Sequence, residues 1–248
     1  MILARLSRAV REQNWFAVVL EFVIVIAGVV IGFQVTAWND VRSERVLEQR
    51  YLERLIESVT ADAAEFEDAA SLASLRGVQA RRILAALDDP EQAGTDADAF
   101  LLGVITAAYT YTPNIDRIAY DEMINRGHIG LIRNEAIRAQ IATYYQSLEN
   151  KSQWDYMRAH VQTRYMTLRA GVLTPAQERL QSTPATTGRF SPEDVNVVLA
   201  QIAQRPDMIA WLPTVEFWQQ YNEDTYTTAA SQARGLRATL ETELERLQ

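Results

Sequence analysis

Between Trp15 and Trp38 the chain reads WFAVVLEFVIVIAGVVIGFQVTAW, and inside its two tryptophans only Glu21 and Gln34 are strongly polar. Crossing the hydrocarbon core of a bilayer takes about 20 apolar residues at ~1.5 Å each, so this proline-free run is long enough. A tryptophan at either end suits the interface, where an indole sits at headgroup level. A cleaved signal peptide would have an apolar centre of only about 7–15 residues, followed by a small-residue cleavage site. This run is longer and leads directly into an acidic, helix-forming segment. We therefore read residues 1–14 as a short basic segment, 15–38 as a retained transmembrane helix, and 39–248 as the domain it anchors.

Charge narrows what that domain binds. Arg5, Arg8 and Arg11 against Glu12 give the first fourteen residues +2, and Glu21 gives the anchor −1. With −8 for the whole chain, −9 is left from Asn39 onward. So acidic a domain repels phosphate backbones, which argues against nucleic acid as a partner. The chain has no cysteine, which excludes disulfides, thiolate nucleophiles and cysteine-based zinc sites. Orientation is nearly balanced by the excess of cationic residues, since Arg42, Arg45 and Arg50 follow the anchor as three arginines precede it. A short basic N-terminus ahead of an uncleaved apolar run stays inside. The expected location is thus a bacterial inner membrane, with the large domain periplasmic.

Within the anchor, Glu21 is a carboxylate at a depth where insertion costs roughly 2.5–3.5 kcal/mol. Gly28 and Gly32 form a GxxxG step, which lets two helix backbones approach closely. At about 100° per residue Glu21, Gly28 and Gly32 share one stripe, and Gln34 lies off it. The stripe predicts packing against a second copy of the chain or another membrane protein.

Beyond the anchor, Asn39 to Leu87 holds no proline and only Gly77 as glycine. Small or apolar residues recur every seven, at Leu52, Val59, Phe66, Ala73, Ala80 and Leu87. Ile56, Ala63, Ala70, Gly77 and Leu84 interleave with them, a seam of the kind that joins bundle helices. Asp88-Asp89-Pro90 ends the segment, and PEQAGTDAD reads as a loop. Thr95 or Asp96 then caps a short helix from Phe100 to about Tyr111, ended by Pro113, and Asn114 caps IDRIAYDEMINR. Gly127 suits a left-handed C-cap, and Asn134 caps a long helix running to Gly171. Thr174-Pro175 opens a short helix, and QSTPATTGRF is the most flexible-looking stretch. Ser191-Pro192-Glu193-Asp194 is a strong helix start. Pro206 and Pro213 interrupt the next region, before a last helix from about Thr214 whose apolar residues include Phe217, Tyr221, Leu236 and Leu240. No strand pattern emerges. The expected fold is all-α, a transmembrane helix continuing into an elongated antiparallel bundle.

Two stretches carry a resemblance. The end of the anchor, LEFVIVIAGVVIGFQVTAWND, and the later YDEMINRGHIGLIRNEAIRAQIATYY are similar to patterns of a bacterial family of membrane-anchored proteins of unknown function. The resemblance implies that Glu21, Gln34, Trp38, Asn39, Tyr120, Gly127, Asn134, Tyr144 and Tyr145 are family positions. The link holds His128-Ile129-Gly130 where the family carries a small residue. No activity comes with the resemblance. Read physically, the second motif is a helix corner whose paired tyrosines bury their rings and leave hydroxyls in need of partners. The alternative is a ligand site at Tyr120, Tyr144 and Tyr145.

Reactive chemistry is sparse. His128 and His160 are the only histidines, and neither has a metal-site spacing, since the residue three before His160 is Met157. No nucleophile elbow or glycine-rich phosphate loop occurs. No enzyme activity, cofactor or metal is expected. Two functional classes follow: an interaction subunit, scaffold or accessory, of a membrane complex, or an extracytoplasmic ligand-binding sensor that works through a partner. A closed pocket lined by Tyr144, Trp154 and Trp218 favours the second, and an exposed apolar face the first.

Overall fold

A proline-free chain with a helical seam has no reason to break before Pro90, and it does not. In the computed structural model, which describes residues 15–151, 155–180 and 188–248, helix α1 spans Trp15–Asp88 without interruption. Asp89 N–H makes the last bond, to Ala85 O at 3.0 Å, before Pro90 removes the next donor. The chain falls into two units, Met1–Arg50 with Leu247 and Tyr51–Arg246 with Gln248.

In the first unit every described side chain from Val19 to Val46 is exposed, and those up to Trp38 are mostly apolar on all sides of the helix. A helix apolar around its whole circumference is made for a nonaqueous surround. By length and composition this helix is able to cross a membrane. Thr36 returns its hydroxyl to Gly32 O (3.1 Å), which satisfies that group without water. At the end of the apolar run the Arg42 guanidinium lies 5.8 Å from the centre of the Trp38 ring, a cation–π contact. The side chain of Trp15 lies outside the described residues.

In the second unit the remaining helices are α2 (Pro90–Gly94), α3 (Ala97–Thr106), α4 (Ile118–Asn125), α5 (Glu135–Lys151), α6 (Asp155–Arg169), α7 (Pro175–Leu180), α8 (Pro192–Ala203) and α9 (Pro206–Leu247). A 3₁₀ turn covers His128–Leu131. No strand occurs among the described residues, so the fold is all-α. The 42-residue α9 runs antiparallel to α1. Arg81 pairs with Glu216, a Cβ on Gly77 would lie 3.5 Å from Gln219, Phe66 stacks on Tyr226, and Glu67 pairs with Arg234. Apart from Ala230, the buried positions of α9 alternate by four and three: Met208, Leu212, Val215, Gln219, Asn222, Tyr226, Ala229, Ala233, Leu236, Leu240 and Glu243. That is a heptad seam. Helix α5 is also antiparallel to α9, with Asn134 at Glu243 and Ser147 near Gln232 across a shared groove.

Several boundaries differ from the sequence reading, each for a tertiary reason. The seam on α1 is wider than expected: Ala63 and Gly77 of the step-of-four set are buried and Ile56, Ala70 and Leu84 are half-buried, while Leu55, Asp62, Ala69 and Ile83, three residues after Leu52, Val59, Phe66 and Ala80, are buried as well. PEQAGTDAD is not a plain loop: Pro90–Gly94 is helical and packs on α8. Asp96 caps α3 through Ala99 N–H (3.0 Å), and α3 ends at Thr106, short of Tyr111. The buried Gln219 side chain donates to Ala107 O and Tyr109 O, and Arg76 to Tyr109 O, so long-range donors take the carbonyls that end the helix. Asn114 caps nothing; its N–H goes to Glu65, and Asp116 Oδ1 receives Ile118 N–H at the start of α4. The long helix after Asn134 appears as α5 and α6, with residues 152–154 outside the described residues. Helix α9 starts at Pro206 and carries Pro213 in its interior, on the exposed side. Phe217 is 63% exposed, displaced from the seam by Val215 and Gln219.

Other starts and stops are as expected. Gly127 has φ 69° and Gly171 φ 76°, the left-handed conformation that a glycine adopts at least cost. Asn134 Oδ1 accepts Ala136 N–H, and Ser191 with Asp194 forms a complete capping box. Of QSTPATTGRF, residues 181–187 lie outside the described residues; just after them Asp98 accepts the N–H groups of Gly188, Arg189 and Phe190. The main apolar core gathers α3, α6, α8 and the start of α9 around the end of α1, with Phe100, Leu101, Val104, Tyr165, Val198, Ile202 and Leu212 at its centre.

Candidate functional site

The most polar buried place in the second unit lies where α1, the linker after α3, and α5 meet. Asp62 sits on the α1 seam and is fully buried. Its Oδ1 accepts Asp116 N–H at 2.9 Å and its Oδ2 accepts the Tyr144 hydroxyl at 2.8 Å. One turn earlier, buried Ser58 donates to Asp116 Oδ2 at 2.8 Å. Tyr145 places its hydroxyl 3.5 Å from Asp116 O, a long contact. A linker between helices is thus pinned to α1 through side chains, because its backbone groups have no ladder of their own.

Burial pushes the Asp62 carboxyl up to about 6, and the nearby Asp116 and Glu65 charges push the same way; the Asp116 N–H and Tyr144 O–H work against them. The nearby arginines are engaged elsewhere. Arg54 pairs with Glu122 at 2.6 Å, and Arg117 with Glu149 at 2.8 Å and Asp121 at 3.3 Å. The Tyr144 and Tyr145 phenols are both raised by burial, and Asp62 adds to each. Glu65 is a different case. It accepts Tyr111 O–H at 2.7 Å and Asn114 N–H, and these hold its carboxyl below the usual range.

The three tyrosines singled out in the sequence come together here. Tyr120 stacks on Tyr145 with ring centres 4.1 Å apart, Tyr144 meets Tyr145 edge-on at 5.1 Å, and Arg117 lies 5.6 Å from both the Tyr120 and Tyr145 rings. Gly127 and Asn134 serve the same corner as helix terminators rather than as contacts. Ile132 is buried beneath the link, and His128 Nδ1 is 2.8 Å from the Tyr51 hydroxyl. His160 meets the Trp211 ring edge-on. No group of three metal-ligating side chains gathers among the described residues. Gln34 and Asn39 lie in the first unit, on exposed helix, as do Glu21, Gly28 and Gly32. A Cβ on Gly28 or Gly32 would meet nothing within 4 Å, so this side of the helix is open.

A groove of about 490 Å³ runs beside the corner between α5 and α9, lined by Ala139, Gln140, Thr143, Tyr144, Ser147, Gln232, Gly235, Leu236 and Thr239. It carries no charged side chain. A further hollow of about 420 Å³, sharing Gln140 and Thr239 with it, lies toward Asn134 and Thr242 and does carry a charged side chain, Glu243. Tyr144 therefore borders an open groove rather than a closed aromatic pocket; Trp218 packs with Phe217 and Tyr221 instead, and Trp154 lies outside the described residues.

No family model, curated protein or solved structure matches the chain.

Asp62, Ser58, Asp116 and Arg117 escaped the sequence reading. The one available signal was Asp62 itself, an acid at the seven-residue spacing of Leu55, Ala69 and Ile83.

Proposed function

We propose that this chain is a single-pass membrane protein of the bacterial inner membrane and a member of the anchored family it resembles. Its helical domain faces the periplasm and serves as a non-catalytic interaction subunit, scaffold or accessory, of a membrane complex. The observation that carries this reading is the Glu21–Gly28–Gly32 stripe on a helix exposed on all sides. An acid in hydrocarbon is stable only with a partner or a proton, and the two glycines open the same face to close packing. The uncharged groove between α5 and α9 adds support, because it is an open face and not a closed ligand pocket. The sensor alternative keeps one argument, the placement of Tyr144 on that groove.

The test is crosslinking of Gly28→Cys in membranes, followed by mild-detergent purification with mass determination. The expected result is a Gly28-dependent dimer or a co-purifying membrane protein, weakened at least tenfold by Gly32→Leu. A lone monomer, with position 28 reachable only from lipid, overturns the reading. Added protease that cleaves within 181–189 in spheroplasts confirms the periplasmic placement; protection reverses it.

A further inference from the structure

We propose that Asp62 is a proton-binding site. The corner built by Asp62, Asp116, Ser58 and Tyr144 takes up one proton on mild acidification, and that uptake tightens the hold of the linker and α5 on α1. Asp62 binds this proton whether or not the anchor helix has a partner.

A fully buried carboxylate is tolerated when a cation or several donors neutralise it. Asp62 has two donors, Asp116 N–H and Tyr144 O–H. The groups around it make matters worse. On α1, Glu65 is a second acid, and Arg54 turns away to Glu122. On the linker, Asp116 is a third acid, Tyr111 donates to Glu65, and Arg117 is bound to Asp121 and Glu149. From α5 come only the phenols of Tyr144 and Tyr145, both raised and neutral. From α9, Tyr226 donates to Tyr111 O, and Arg234 pairs with Glu67. Ionised, Asp62 repels the very carboxylate whose backbone N–H it holds. Protonated, it keeps lone pairs for both donors and loses the repulsion. The sign follows. The folded carboxyl lies near 6 against an ordinary 3.8, so the folded state binds the extra proton. This contribution to stability is fully present below about pH 4, falls as pH rises toward 6, and is flat above that. Carboxyls held low, such as Glu65 and Glu122, act in the opposite sense and at lower pH.

The experiment is infrared difference spectroscopy on the full-length protein in detergent micelles, stepped from about pH 7.5 to about pH 4, the interval that separates a raised carboxyl from an ordinary one. The protonated carboxyl stretch is silent to imidazoles, so the two histidines do not contribute. A carboxyl band with its midpoint near 6 is expected, absent in Asp62→Asn. In Tyr144→Phe, which removes a donor to the ionised form, the midpoint moves up by about 0.5–1 pH unit. Amide exchange at Asp116–Ile118, corrected for intrinsic rate, slows across the same step in the wild type only. With Glu21→Gln in the background to remove the carboxyl inside the apolar run, a first carboxyl band near pH 4, a band near pH 6 that survives in Asp62→Asn, or a midpoint indifferent to Tyr144→Phe overturns the proposal. The last of these holds even if Asp62→Asn fails to fold.

Discussion

The large apolar core and the acid–tyrosine corner are both built on α1, yet by opposite means. In the core the helix surfaces meet Phe100, Leu101, Val104, Val198 and Ile202, and the area removed from water does the holding. At the corner the apolar seam shrinks to Phe66, Ala69, Tyr226, Ala229 and Ala230, and a set of directional hydrogen bonds replaces bulk. Burial of hydrocarbon is indifferent to pH, and a buried carboxylate is not. One long helix, α1, therefore has one stretch whose hold does not change with pH and another whose hold does.

The largest effect that can break this contrast lies in the core. Leu101 is fully buried there, and Leu101→Ala is expected to cost about 2–5 kcal/mol in chemical unfolding of the full-length protein. The loss should be equal at about pH 7.5 and about pH 5, either side of the Asp62 range. A loss that changes with pH would mean that the core and the corner are not separable.

The second test sharpens the contrast from the other side. Tyr144→Phe keeps the ring and removes the hydroxyl that donates to Asp62. The expected cost is about 1–3 kcal/mol at pH near 7.5, where the carboxylate is left with one donor fewer. It shrinks toward pH 5, where the carboxyl is neutral and needs that donor less. An equal cost at both values would reduce the tyrosine to packing.

The two regions also differ in how far they were legible. Stops and starts made by one residue's own chemistry were readable: Pro90 ending α1, Gly127 turning left-handed, Asn134 and Ser191 capping their helices. Each acts on a backbone within three residues of itself. The corner depends on side chains brought together from far along the chain, Asp62 with Asp116 and Tyr144. The seam on α1 offered two continuations after Leu52, by three or by four residues. The fully apolar choice left Asp62 out; the folded chain buries positions of both sets, Ala63 and Gly77 as well as Asp62, and the acid is accommodated because Asp116 and Tyr144 donate to it. The same applies to Gln219, a polar seam residue explained only by the Ala107 and Tyr109 carbonyls it reaches. Phe217 was misplaced by the converse logic, since an aromatic side chain does not show which of its neighbours the seam has already chosen.

A smaller effect tests the local logic of the core. Ser191 accepts Asp194 N–H while Asp194 accepts Ser191 N–H, and together they open α8 under the core. Ser191→Ala is expected to cost about 0.5–2 kcal/mol, with Ser191→Asp restoring most of it. The loss should not depend on the state of Asp62. An equal loss in an Asp62→Asn background would confirm that the two regions add independently.

The smallest effect sits at the edge of the core, where α1 and α9 are joined by the Arg81–Glu216 pair at 2.8 Å. Both side chains are substantially exposed, 53% and 32%, so water and salt screen the attraction, and holding two long side chains costs entropy. Glu216→Gln is therefore expected to change stability by no more than about 0.2–1 kcal/mol, and by less in high salt. Its register is fixed without it, by the approach of Gly77 to Gln219 four residues away on α1 and three on α9. A large loss here would mean that charge, rather than close contact, sets the alignment of the two helices. The pH-independent end of the molecule would then depend on the medium as well.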